Sequence, residues 1–186
     1  MEVIEGDQTG GPSRWLARLA EGDPSALDGL YDEFGPALYR YALGMLGRTE
    51  AAEDALQELF LTLARSRGKL GHVQSARAYL FAMLRHGIWR RLQRDAARER
   101  ALDPATIFEH PQPPGLPDGA AADIAAALAQ LPPDQREVIV LKIYQNMTFA
   151  EIAEVTEVSL NTAASRYRYA LERLRSLLPP DLLQEK

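Results

Sequence analysis

Hydrophobic residues recur every three to four positions along most of this chain, which is the spacing of amphipathic helices. Alternation of β-branched and polar residues, which would indicate strands, is scarce. A first short helix is expected from Arg14 to Glu21, and a second from Asp23-Pro24 to Phe34, where Gly35-Pro36 should break it. Further helices are expected at about 36–46, 49–67, 75–100, 121–131, 133–145, 149–155 and 159–178. The pattern predicts an all-α protein.

The helical pattern is interrupted once, at residues 101–120. This stretch, ALDPATIFEHPQPPGLPDGA, holds five of the twelve prolines and neither Lys nor Arg. Such a composition is typical of a semi-extended linker. The sequence therefore predicts two small helical domains, at about 13–100 and 121–178, joined by a Pro-rich tether.

The composition narrows the functional classes. The 186 residues include no Cys, which excludes disulfides, thiolate zinc sites and thiol redox chemistry. No apolar run approaches the ~20 residues of a membrane span, so no membrane insertion is expected. The acidic, Gly-rich first dozen residues do not resemble a secretory signal. A cytoplasmic protein is the simplest interpretation.

The charge is unevenly distributed along the chain. The formal net charge is −5, yet residues 71–100 hold seven basic and two acidic residues, a local net charge of +5. This asymmetry indicates a local site for a polyanion on a chain whose other surfaces meet a different partner.

The C-terminal helices have the layout of a helix-turn-helix. Thr148 and Glu151 form the pattern of a capping box, and Ser159 is the expected cap of the last helix. A helical wheel places one stripe of the last helix in the core: Leu160, Ala163, Ala164, Tyr167, Leu171, Leu174 and Leu178. The opposite face begins with small polar groups and continues with Arg. It suits a recognition helix in the major groove, in which Asn161 and Thr162 reach bases while Ser165 and Arg166 reach phosphates. The alternative is an ordinary solvated face.

A basic and aromatic helix follows Ser75. Its arginines, Arg85, Arg90 and Arg94 among them, lie close to Trp89, and its apolar residues extend beyond one stripe. A groove for single-stranded nucleic acid would explain both features, because cations track the backbone and aromatic surfaces receive unstacked bases. A buried Trp89 with solvated arginines explains them equally well.

An acidic helix is expected at residues 49–67. Opposite its core stripe lie Asp54, Gln57, Glu58 and Leu61, which is typical of a protein interface. Asp54 and Glu58 have no His or third ligand near them in sequence, so no metal site is expected. The three histidines are isolated and no nucleophile motif occurs. We therefore expect no enzyme, no catalytic residues and no cofactor.

Taken together, these segments resemble a bacterial RNA polymerase sigma factor of the sigma-70 family, of the extracytoplasmic-function (group four) type. AEDALQELFLTLAR (52–65) is similar to the region 2 helix that docks on the polymerase β′ clamp coiled coil. ARAYLFAMLRHGIWRRLQR (76–94) resembles the part that melts and reads the minus-ten element. Residues 127–178, with LPPDQREV, AEIAEV and SRYRYALERLR, closely match region 4, which binds the minus-thirty-five element.

The resemblance implies a promoter-specificity subunit that binds polymerase core, including the β flap, recognises duplex and single-stranded promoter DNA, and assists strand opening. It also implies an anti-sigma partner. The residues that it assigns fall into three sets. Core binding is assigned to Asp54, Gln57, Glu58 and Leu61; minus-ten DNA to Arg85, Trp89, Arg90 and Arg94; minus-thirty-five DNA to Asn161, Thr162, Ser165, Arg166 and Arg168. The family commonly has Asn-Leu-Ala-Ile-Asp where this chain has His86-Gly-Ile-Trp-Arg90. Two alternatives stay open: a sigma mimic that sequesters an anti-sigma factor, and a two-domain repressor.

Overall fold

The computed structural model describes residues 14–66, 70, 73–99 and 120–179. Within these ranges all regular structure is helical, which confirms the all-α prediction. The elements are α1 (Arg14–Ala20), α2 (Ala26–Leu46), α3 (Thr49–Arg65), α4 (Ala76–Glu99), α5 (Ala120–Ala129), α6 (Pro133–Ile139) with its π-helical extension (Val140–Tyr144), α7 (Phe149–Thr156) and α8 (Leu160–Leu177). The predicted linker lies outside the described residues except at its last position, residue 120.

Helices α1–α4 form a first body around α2, which packs against the other three. The predicted break at Gly35-Pro36 is wrong, because α2 continues through Pro36 to Leu46. A Pro inside a helix removes one backbone hydrogen bond and costs about 3 kcal/mol. Burial of Leu30, Leu38 and Tyr41 on the two sides of Pro36 offsets that cost and keeps the helix continuous.

Helix α1 packs on α2 through its tryptophan. The Trp15 indole lies over Gly29, where a Cβ atom would come within 2.4 Å of the ring. The indole N–H donates to Glu33 at 2.9 Å, and the Arg14 and Arg18 guanidinium groups lie 4.5 and 5.0 Å from the ring centre. The absence of a side chain at Gly29 is therefore what allows α1 to sit on α2.

Helices α5–α8 form a second body, and the caps of α7 and α8 are those that the sequence predicts. Thr148 accepts from the Glu151 amide while the Glu151 carboxylate accepts from Thr148 N–H, which completes the predicted capping box of α7. Ser159 caps α8 by accepting from the Thr162 amide. The turn between α7 and α8 passes through Glu157, whose φ of 56° lies in the left-handed region. These features build the helix-turn-helix that the pattern predicts.

Within the core stripe predicted for α8, one assignment is wrong. Leu160 is 52% exposed, because it is the first residue of the helix and lies beyond the body that covers the later turns. Ala163, Ala170 and Leu174 are buried, and the Tyr167 ring packs edge-on against Phe149 with ring centres 5.5 Å apart. The core of this helix therefore begins about one turn later than the wheel suggests.

The two bodies pack directly against each other. Apolar residues of α6, its π-helical extension and α7 join the core of the first body, so that one buried cluster runs from Leu16 to Ala163. A smaller cluster around Leu128 and Leu174 lies within the second body alone. The face-to-face packing was not expected for two domains on a tether, and it determines how the candidate functional residues are placed.

Candidate functional site

The N-terminal half of α8 presents the polar face expected of a recognition helix. Asn161 and Arg168 are exposed, and Thr162 and Ser165 are half-buried. The Thr162 hydroxyl lies 2.8 Å from Ser159 Oγ, and Ser165 Oγ donates to the Thr162 carbonyl at 3.0 Å. These hydroxyl groups are thus already engaged in the cap and first turn, which fixes their direction at the helix N-terminus.

Arg166 differs from its neighbours. Its guanidinium forms an ion pair with Asp134 of α6, with Nε 3.1 Å from the carboxylate, and only 27% of its side chain is exposed. The Arg166 guanidinium is therefore held within the second body. By contrast, Arg168 lies over the exposed Tyr169 ring, 5.0 Å from its centre, on the open face of the helix.

Two of the residues predicted to meet the opened strand contact the second body instead. Arg85 Nε donates to both carboxylate oxygens of Glu137, at 3.1 and 3.2 Å, and Trp89 Nε1 donates to Oε1 at 3.1 Å. The Arg85 guanidinium also lies 5.4 Å from the centre of the Trp89 ring. Glu137 itself is fully buried. Arg85 and Trp89 therefore lie side by side, but both are directed at a carboxylate of their own chain.

Glu137 and Tyr41 are functional candidates that the sequence reasoning missed. The Tyr41 hydroxyl donates to Glu137 at 2.6 Å, across 96 residues of sequence. Burial, and then the Glu137 carboxylate beside it, hold the pKa of Tyr41 well above its ordinary value. The one signal in the sequence was the Arg136-Glu137 pair at the start of the apolar run VIVL, where a charged pair is out of place unless it has buried partners.

The other two strand-contact candidates stay on the surface of α4. Arg90 and Arg94 are exposed and, with Gln93, Gly87 and Glu58, line an open cavity of about 430 Å³. The Glu58 carboxylate lies 3.9 Å from Arg90 Nη2. A Cβ atom added at Gly87 would meet nothing within 4 Å. This cationic cavity is accessible while Arg85 and Trp89 are covered.

The predicted polymerase-docking residues all lie on the exposed face of α3. Asp54, Gln57 and Glu58 are exposed, and Leu61 is 49% exposed. Gln57 and Leu61 line an apolar groove of about 740 Å³ between α2 and α3, whose floor includes Tyr31 packed on Phe60 with ring centres 5.5 Å apart. Asp54 also pairs with Arg91 of α4 at 2.9 Å. The exposed face of α3 therefore combines an apolar groove, lined by one carboxylate, Glu53, with the exposed carboxylates of Asp54 and Glu58.

The seam between the bodies continues on both sides of Glu137. The Arg77 guanidinium donates to the Gln145 carbonyl and lies 3.9 Å from Glu151, and His86 lies 3.6 Å from Glu157. Burial raises the pKa of Glu151, but the Thr148 hydrogen bonds and the Arg77 and Lys142 charges outweigh it and leave that pKa below its ordinary value. At three points of the contact, side chains of α4 therefore face carboxylates of the second body: Arg77, Arg85 and His86.

Two sequence signatures of a known protein family match this chain. The sequence signature of sigma-70 region 2 matches residues 30–98, and that of sigma-70 region 4 matches residues 121–174. Together they cover more than half of the chain, in the order in which the two bodies occur. The chain belongs to the sigma-70 family. Its membership confirms the resemblance drawn from the motifs and makes the chain a promoter-specificity subunit rather than a sigma mimic.

This sigma factor is 34% identical to the ECF RNA polymerase sigma factor SigL of Mycobacterium tuberculosis, over 88% of its own length and 94% of that relative. Its fold is similar to that of the sigma factor RpoE of Bartonella quintana, solved in complex with the anti-sigma factor NepR, with a TM-score of 0.69 at 23% identity over 82% of this chain and 96% of the other. CnrH, solved with the cytosolic domain of CnrY, gives a TM-score of 0.67 at 25% identity over 88% and 94%.

Among the described helices of the sigma factor, none is both long and apolar enough to cross a membrane. Across residues 14–66, 70, 73–99 and 120–179, no group of three or more His, Asp and Glu side chains is arranged to hold a metal ion.

Proposed function

We propose that this sigma factor binds RNA polymerase core in the cytoplasm, selects promoters and assists strand opening without catalysing a reaction itself. In this proposal, each exposed surface of the chain contacts a different partner. The exposed face of α3 docks on the β′ clamp coiled coil, the second body contacts the β flap, α4 meets the minus-ten strand, and α8 reads the minus-thirty-five duplex. The observation that carries the proposal is the capped helix-turn-helix with an exposed polar N-terminus on α8, in a chain of the sigma-70 family.

The docking face on α3 has the character of a protein interface. A coiled coil presents apolar residues flanked by charged ones, and the groove beside Leu61 offers apolar walls with the Glu53 carboxylate in its lining, while Asp54 and Glu58 are exposed on the same helix. Core binding should therefore combine burial of Leu61 in this groove with charge complementarity to the exposed Asp54 and Glu58 on the same helix. Because these carboxylates also lie near Arg91 and Arg90, docking would change the electrostatic environment of α4.

Run-off transcription from genomic DNA fragments, with core enzyme and this chain, tests the proposal. Specific transcripts that depend on the added chain support it; absence of both transcripts and core binding would refute it. Asp54→Ala combined with Glu58→Ala should weaken core binding measured by pull-down while leaving the second body folded. Glu154→Ala combined with Glu172→Ala removes two exposed carboxylates of the second body and is the matched control.

We also propose that an anti-sigma protein binds this chain. RpoE was solved bound to NepR and CnrH bound to the cytosolic domain of CnrY, and this chain shares their fold. The tagged chain should capture a protein that, once purified, suppresses run-off transcription in proportion to its concentration. A captured protein without that effect would not support the proposal.

A further inference from the structure

Leu160 is an exposed apolar side chain on an otherwise polar turn. It is the first residue of α8, and 52% of it is accessible to solvent. Its neighbours in the chain are polar: Ser159 caps the helix, Asn161 is exposed and Thr162 is half-buried. Among the described residues, Leu160 joins neither of the two buried apolar clusters. Packing within the second body therefore gives no reason for a leucine, rather than a polar residue, at this position.

The backbone that carries Leu160 is held in place on both sides. Ser159 Oγ accepts from the Thr162 amide at 3.1 Å, and the Ser159 carbonyl accepts from the Ala163 amide at 3.0 Å. Ala163 is fully buried and anchors the same turn in the core. The capped first turn thus presents Leu160 and Asn161 from a fixed backbone, which leaves little backbone entropy to lose when a partner binds.

The first two residues of α8 have the chemistry that reads A·T pairs. In a helix-turn-helix, the N-terminal residues of the second helix contact base edges in the major groove. There an apolar side chain contacts the C5-methyl group of thymine, and an Asn amide binds adenine N6 and N7. Leu160 and Asn161 supply one side chain of each kind. In addition, the first turn of α8 has no acidic residue that would repel a phosphate.

We propose that Leu160 is a specificity-determining residue, which contacts the C5-methyl group of a thymine in the minus-thirty-five duplex beside the base contact of Asn161. The inference rests on the proposed function and deepens it, because it names the base, and the group on that base, that α8 selects. The contact buries an apolar side chain that water surrounds in the free chain, so it stabilises the complex without a hydrogen bond or an ion pair.

The first experiment identifies the thymine. Core enzyme reconstituted with this chain selects duplexes from a library that is randomised over the upstream element. The selected sequences should contain at least one position at which thymine predominates, and holoenzyme with Leu160→Ala should lose that preference at one position. Ile143→Ala removes an equally exposed apolar side chain from the π-helical extension and is the matched control, which should keep the preference.

The second experiment removes only the methyl group. Deoxyuridine lacks the C5-methyl group of thymidine and keeps its hydrogen-bonding groups. Deoxyuridine at the identified position should weaken binding by the unmodified holoenzyme about fourfold in a competition assay, the ratio that corresponds to burial of one methyl-sized group. Holoenzyme with Leu160→Ala, or with Leu160→Asn, which preserves the approximate size of the side chain, should bind both duplexes equally. A fourfold ratio that persists in both variants would overturn the inference.

The remaining outcomes separate this inference from the proposed function. A selected element in which no thymine responds to loss of its methyl group refutes the role of Leu160 and leaves α8 as the DNA-reading helix. Failure of the holoenzyme to select any upstream duplex refutes both. If Leu160→Ala weakens core binding in a pull-down while the thymine preference remains, Leu160 contacts polymerase rather than DNA and the inference fails. Circular dichroism checks that each variant keeps its helices.

Discussion

Replacement of Arg136 by Met is the sharpest test of how the second body is held together. The Arg136 guanidinium is buried and donates to the carbonyls of Leu128, Ala129 and Leu131 at the end of α5, at 2.7–3.3 Å. It also reaches the Met45 carbonyl in the last turn of α2. The last carbonyls of a helix have no partner within it, so one side chain serves the ends of two helices.

The size of the effect follows from two opposing terms. Leu128 also accepts from the Leu131 amide, so we count the other three carbonyls, and each one left without a donor costs about 1–3 kcal/mol. Against this, burial lowers the pKa of Arg136 from 12.5 to about 10, which corresponds to roughly 3 kcal/mol for keeping a buried charge. The Met variant fills the space without that charge. We expect a net loss of about 3 kcal/mol.

Hydrogen exchange measured by mass spectrometry on the full chain resolves this loss by region. Peptides from α5 and α6 should exchange markedly faster in Arg136→Met, and the midpoint of urea unfolding followed by circular dichroism should fall. Arg175→Met, at an exposed position in the last turn of α8, should change stability by less than about 0.5 kcal/mol. Unchanged exchange in α5 and α6 would refute the capping role of Arg136.

Three substitutions to or from Gly test how backbone conformation and close packing affect the stability of the chain. Gly29→Ala should cost about 1–3 kcal/mol and shift Trp15 fluorescence, because its Cβ would overlap the indole; an unperturbed Trp15 signal would contradict this packing. Glu157→Gly should raise the thermal unfolding midpoint, with a gain of about 0.5–1 kcal/mol, because Gly tolerates a φ of 56°. Gly87→Ala should gain about 1 kcal/mol, since its Cβ meets nothing; a loss measured by urea unfolding would show a hidden close contact.

The helix caps could be predicted from the sequence because the residues that form each cap are close in the chain. The capping box of α7 needs only Thr148 and Glu151, and the cap of α8 needs only Ser159 and the Thr162 amide. Such contacts form in any environment that allows the helix, so residue type and spacing are sufficient to predict them. The all-α class and the helix-turn-helix were predictable for the same reason.

Tertiary packing overrode the local signal at Pro36. Gly35-Pro36 is a strong helix breaker by itself, yet α2 continues through it because residues before and after Pro36 are buried. The cost of a Pro inside a helix is fixed by its own chemistry, whereas the compensating burial comes from α1, α3 and α4. A single sequence therefore shows the cost of the Pro but not the burial that compensates for it.

The contact between the bodies could not be predicted from the sequence for a related reason. Tyr41, Arg85 and Trp89 meet Glu137 across 48 to 96 residues of sequence, and periodicity carries no information about such pairs. For α4 the sequence left two interpretations open, a groove for single-stranded nucleic acid and a buried Trp89 with solvated arginines. In the structure Arg85 and Trp89 instead lie at the contact with the second body, where both donate to Glu137.

The distribution of charge gains a physical meaning from these contacts. The basic segment 71–100 looked like a site for a polyanion, yet four of the five arginines whose side chains the structure describes there face carboxylates: Arg91 faces Asp54, Arg90 faces Glu58, Arg85 faces Glu137 and Arg77 faces Glu151. On the proposed function, a DNA strand bound there would exchange these carboxylates for phosphates, and the number of ion pairs would change little. We therefore expect the electrostatic gain from DNA alone to be small, because counterion release scales with the number of phosphates that basic side chains newly neutralise. The proposed docking of the α3 face on polymerase would supply a further contribution by drawing Asp54 and Glu58 away from α4.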